Sequence, residues 1–144
     1  MISRIILEII PHAKQRYDTI GDWQVRHRRG IDELYITISE LRGHNWEHWI
    51  IGVHELFEAI LCLAINIRPE HLDEFDKHFN PRAQHEPGDS PLAPYHIQHG
   101  FASAVERMLC AALNINWYEY ERAVKNASRH KETKRGESHN DNNK

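Results

Sequence analysis

HNWEHWIIGVHELFEAILCLAIN, residues His44 to Asn66, contains no proline and a single interior glycine, Gly52. Trp46, Trp49, Ile50, Val53, Phe57, Ile60, Leu61 and Ala64 recur at three- and four-residue steps, the period of an α-helix. The apolar positions cover most of the helix circumference. The spacing therefore predicts a long helix over about 44–66 that sits centrally, with Asn66 at its C-terminal end. Into this apolar surface the sequence sets His54-Glu55-Leu56-Phe57-Glu58. His54 and Glu58 are four apart and lie on one face, a turn from each other. That is the spacing by which one helix gives two ligands to one metal ion, here as HExxE with a carboxylate in second place. Glu55 is placed to act as a base on metal-bound water. An unpaired carboxylate among Trp, Ile, Val and Phe is costly, so these groups need a partner, a cation or water. Glu47, seven residues before His54, is a further candidate on roughly the same face.

Upstream, the period changes to two. Trp23, Val25 and His27 alternate with Gln24 and Arg26; then Leu34, Ile36 and Ile38 alternate with Tyr35, Thr37 and Ser39. Arg29, Gly30 and Asp32 lie between them. Two alternating runs around a glycine-containing turn predict a β-hairpin over about 23–39, apolar on one face. Ile2 to Ile10 reads as a strand ended by Pro11, with a short helix as the alternative. RYDTIGDW, Arg16 to Trp23, reads as the loop leading into the hairpin.

Downstream, Pro69 opens a short helix that runs to about Phe79. Asn80 to Pro94 holds four prolines and Gly88, which no regular element survives. A loop of that length inside a small domain points to function, and His85, Asp89, Tyr95 and His96 stand in it or at its end. A second long helix follows over about 95–113, with an apolar stripe of Phe101, Ala104, Val105, Met108, Leu109 and Ala112. His96, His99, Ser103 and Glu106 form a polar stripe on it. Opposite HELFE, that stripe completes a metal site in which His99 and His96 join His54 and Glu58 and one position is left for water. Tyr95 is a candidate hydrogen-bond donor to a developing oxyanion. Ile115 to Ala127 forms a last short helix.

The chain has 144 residues, 40% hydrophobic and 27% charged, which suits one packed α+β domain over 1–127: a small antiparallel N-terminal sheet packed on a helical C-terminal part. Residues 128–144 are polar and read as a disordered tail. A net charge of −3 argues against binding nucleic acid or anionic membranes by bulk charge. No apolar run reaches the roughly 18 residues of a membrane span. The N-terminal stretch, interrupted by Glu8, is not expected to be a secretory signal. Cys62 and Cys110 read as buried free thiols of a cytoplasmic protein. The chain has 12 histidines, of which only His130 and His139 fall in the tail.

RYDTIGDW, HELFEAILC and GDSPLAPYHIQHGFASAVERMLCAAL, in that order, resemble a family of small phage and prophage proteins that share RYDTxGDW, HELxEA and APYxxxHxxA. The resemblance spans about Arg16 to Glu121. It implies that Arg16, Asp18, Asp22, His54, Glu55, Glu58, Tyr95, His99 and Glu106 belong to the shared pattern, and a location in the host-cell cytoplasm. A looser likeness is to zincin metallohydrolases, in which a strand precedes an HExxH helix and a later element supplies the third ligand. Glu58 stands here where zincins carry histidine.

Three functional readings follow. The first is a metal-dependent hydrolase that holds a divalent ion, zinc first and Mn, Fe or Mg as alternatives, with His54, Glu58 and His99 or His96. The second is a nucleotide pyrophosphohydrolase, because Glu55-x-x-Glu58 followed by Glu70-x-x-Asp73 resembles the magnesium constellation of the MazG-like family. The third is a non-enzymatic phage protein that binds a host factor, the cluster then being structural.

Overall fold

The computed structural model describes residues 1–41, 46–79 and 86–137, with backbone alone for 128–137. Among the described residues, three strands, β1 (Ile2–Ile10), β2 (Gly21–Arg28) and β3 (Ile31–Ser39), precede four α-helices: α1 (Glu47–Ala64), α2 (Pro69–His78), α3 (His96–Ala112) and α4 (Trp117–Glu137). The α+β class stands, and both long helices lie where the apolar period put them. His44 and His85 are outside the described residues, as are 138–144. Helical backbone continues past Ser128, where composition placed the start of the tail. No helix among the described residues is long and apolar enough to cross a membrane.

The hairpin forms as its sequence dictates. Arg28 pairs with Ile31, leaving a two-residue turn in which Arg29 and Gly30 both have positive φ, 51° and 79°. A two-residue turn of that hand matches the twist of the flanking strands, and glycine carries it without strain. The sheet order is β1-β3-β2. β1 runs parallel to β3, so the sheet is mixed, not antiparallel throughout as expected. The isoleucine-rich run of β1 marks it as a strand but does not fix its direction or its burial: β1 is an edge strand, and Ile5 and Ile9 are exposed. Direction is set by the return of residues 11–20, held where the Ser39 amide donates to the Ile20 carbonyl (2.7 Å) and the Glu40 amide to the Ile10 carbonyl (2.8 Å).

Leu34, Ile36 and Ile38 of the central strand are fully buried and form the floor of the core under α1. Each such side chain contributes on the order of 2–3 kcal/mol by leaving water. Helix α1 reaches the sheet closely at Gly52: a Cβ there would lie 2.5 Å from Leu7 Cδ1 and 2.8 Å from Ile38 Cδ1. On the other face of β3, Gln15 satisfies the buried hydroxyls. Its amide donates to Ser39 Oγ (3.2 Å) and its carbonyl accepts from Thr37 Oγ1 (2.8 Å). α3 packs alongside α1. Cys62 and Cys110 are both free and buried, and burial pushes their thiols up to about 12 and about 11, so neither is a ready nucleophile.

A candidate metal centre between two helices

The 100° step per residue of α1 puts Trp49, Phe57 and Ile60 on one side and His54 and Glu58, both buried, on the other. α3 brings His99 against them. His54 Nε2 lies 3.2 Å from His99 Nδ1 and 3.6 Å from Glu58 Oε2, and His99 Nδ1 lies 3.0 Å from Glu58 Oε2. Metal bonds of about 2.0–2.2 Å place neighbouring ligand atoms roughly 2.9–3.6 Å apart, so this triangle has the dimensions of one face of a coordination sphere. These three residues are the group of metal-ligating side chains that the described residues bring together.

The outer atoms of the three ligands are held by further side chains. His54 Nδ1 faces Glu106 Oε2 at 3.0 Å, and the other Glu106 oxygen accepts from the Tyr120 hydroxyl. His99 Nε2 lies 3.4 Å from Asp89 and 3.8 Å from Glu86. Glu58 Oε1 accepts the indole N–H of Trp23 at 2.9 Å. Carboxylates on the far side of both imidazoles fix which nitrogen carries the proton and aim the remaining lone pairs at the centre. Gly88 lets the Asp89 turn come close, since a Cβ there would stand 2.3 Å from the His99 ring.

The electrostatics favour positive charge at this point. Burial by itself would lower both imidazole pKa values. Hydrogen bonds to Glu106 and Glu58 instead hold His54 well above its ordinary value, and those to Asp89 and Glu58 raise His99 to about 10. Burial would likewise raise Glu58, yet the hydrogen bonds from His54 and His99 outweigh it and pull the carboxyl down to about 2. Glu55 goes the other way: burial, with Glu58 adding, drives it well above the usual carboxylate range.

The RYDTIGDW loop sets the carboxylate ligand. Arg16 clamps Asp22 with two bonds (Nε to Oδ2 2.6 Å, Nη2 to Oδ1 2.8 Å), donates to the Trp23 carbonyl (3.0 Å) and reaches Asp73 of α2 (3.2 Å). A planar guanidinium fits this bidentate role. The clamp fixes Trp23, and Trp23 holds Glu58.

The group opens on a cavity of about 960 Å³ whose walls include Trp23, Glu55, Asp76, Tyr95 and Ser103. Glu55 therefore stands in the cavity beside the ligands, packed against Gly21. Tyr95 also lines it, but its hydroxyl donates to Asp76 Oδ1 at 2.6 Å, which commits the proton that the oxyanion role required. His96 does not join the group. It is exposed and its Nδ1 takes the Gly88 carbonyl side of the loop, 3.0 Å away, so it ties the turn to α3 rather than facing the centre. Glu47 also stays outside; its carboxylate accepts the Trp46 amide at 3.1 Å. The MazG-like set is not assembled either. Glu70 is exposed and Asp73 pairs with Arg16, leaving Glu58 in the metal group without them.

The sequence reading missed Trp23 and Tyr120. Trp23 stands on the apolar face of the hairpin and is buried, and a buried indole N–H also needs an acceptor. Tyr120 carries no local signal, because its link to Glu106 exists only once α4 has folded back. Comparison of the chain with protein-family models, with curated proteins and with solved structures gave no match.

Proposed function

We propose that the chain is a metal-dependent hydrolase, with one divalent ion held by His54 Nε2, His99 Nδ1 and Glu58 Oε2. The observation that carries this is the triangle of ligand atoms with edges of 3.0–3.6 Å, the outer nitrogens of both imidazoles turned to carboxylates. Two imidazoles and one carboxylate suit zinc, and suit iron or manganese as well. Three protein ligands beside a cavity correspond to a catalytic site with room for water, where a purely structural zinc would be closed by a fourth. A bound ion supplies Lewis acidity and lowers the pKa of water. Glu55, on the cavity wall with its carboxyl pKa raised by burial and by Glu58, is suited to hold and pass a proton beside the ligands. Glu106 and Asp89 hold the two imidazoles in their ligating orientation. Trp23 fixes the carboxylate.

The test is elemental analysis of purified full-length protein after dialysis against zinc, manganese or iron. About one ion per chain is expected for wild type, with near-complete loss in His54→Ala and in His99→Ala. Protein that stays metal-free while fully folded overturns the reading. Hydrolysis of ester, amide and phosphoester panels by the loaded protein, lost in Glu55→Gln while the ion is retained, separates catalysis from a structural ion. A loaded protein inactive on all of them favours the host-factor reading.

A further inference from the structure

The faces of α1 and α3 that point away from the metal group are apolar and open to solvent. Trp49, Phe57 and Ile60 form one stripe on α1, and Ile97, Phe101 and Met108 form another on α3. Ile97 is 78% exposed, Met108 71% and Phe101 53%. The two stripes are one surface, because Phe57 and Phe101 stack across the helix pair with ring centroids 6.4 Å apart. Val53, Ala104 and Ala112 extend them at helical spacing, and neither stripe contains a charged residue. Single exposed apolar residues are ordinary, but a contiguous patch of this extent marks an interaction site.

We infer that this face docks on a second copy of the same chain, α1 and α3 of each forming an intermolecular four-helix bundle. Area supports that occupant. At about 150–250 Å² per fully exposed large side chain, the six residues, 38–78% exposed, present roughly 500–850 Å². That is about what each partner gives to a stable interface. Chemistry supports it too. Homodimer interfaces are the more apolar class, and a two-fold axis lays this uncharged face on its own copy, apolar on apolar. The helices so clamped are those whose opposite faces carry His54, Glu58 and His99.

Light scattering on full-length, metal-loaded protein across 1–100 µM tests this. The expected mass is twice the 17.0 kDa of the chain. Phe101→Glu and Met108→Glu should each give the single-chain mass with helical circular dichroism and metal content retained. Tyr118→Ser, at an exposed position on α4, should remain dimeric. A wild type of single-chain mass throughout, or a dimer that persists in both charged variants, overturns the inference and would leave the face to a foreign partner. Should the charged variants fail to fold, the wild-type melting temperature decides. It should rise over a hundredfold increase in protein concentration, and a midpoint independent of concentration overturns the inference.

Discussion

Gly88 and Trp23 show how closely individual side chains set the candidate centre. A methyl group at position 88 would occupy the space of the buried His99 ring, which is too well packed to move freely. Gly88→Ala is expected to weaken metal affinity about 10–100-fold, as loss of a ligand-orienting contact does, with the fold intact. Isothermal titration of zinc checks this. Trp23→Phe keeps the ring in the core and removes only the hydrogen bond to Glu58, and should cost affinity in the same range. Protons compete for the same atoms. In the metal-free protein, His99 is raised from 6.5 to about 10, so its contribution to stability is full below pH 6.5 and is lost as pH rises through 10. Glu58 is lowered from 4.5 to about 2; its contribution is present above pH 4.5 and is lost as pH falls through 2. Chelated protein should therefore be most stable between those windows, with urea midpoints falling toward both extremes. Metal binding has the opposite trend on the alkaline side, since ligation needs the imidazole free of its proton and affinity rises with pH.

At the scale of elements, α1 is the piece on which the site depends. Its inner face carries two of the three ligands, and its height above the sheet is fixed where Gly52 meets Leu7 and Ile38. Gly52→Val introduces atoms into that contact and is expected to destabilise the protein by about 1–3 kcal/mol, read as a lower urea midpoint. Because the helix must lift, metal retention should fall with it. Gly52→Ala gains up to about 1 kcal/mol of helix propensity against the same crowding, so its loss should be the smaller of the two. The hydrophobic period made α1 and α3 legible, and the alternation with its turn made the hairpin legible. The parallel pairing of β1 was not legible, because an isoleucine-rich run says that a strand forms and nothing about its direction or its place at the sheet edge. Nor was the place of His96. Its spacing from His99 is compatible with a shared face, but a helix's first residue also meets the preceding loop, and the Gly88 carbonyl takes it.

For the whole molecule, a ligand that binds only the folded chain stabilises it. At a zinc concentration a hundredfold above Kd the gain is about 2.7 kcal/mol. For a chain of this size that is a rise in melting temperature of roughly 5–10 °C. Differential scanning calorimetry with and without chelator measures it, and His99→Ala should show no rise. A chain in which the ion merely sat on surface carboxylates would show a small rise that the His99 variant retains.

The residues alone determined most of the elements, because period and turn chemistry are local properties, but not which apolar faces are covered: Trp49, Phe57, Phe101 and Met108 stay open to solvent. They also put forward His54, Glu58, His99 and His96 by their positions on two helices, without separating His99 from His96. Only the tertiary structure decided that ligand atoms of His54, Glu58 and His99 come within 3.0–3.6 Å of one another. It alone decided that Glu106, Asp89 and Trp23 brace them. Those partners lie far along the chain, and the angle and distance between packed helices are set by every side chain in the contact rather than by the spacing of any one motif.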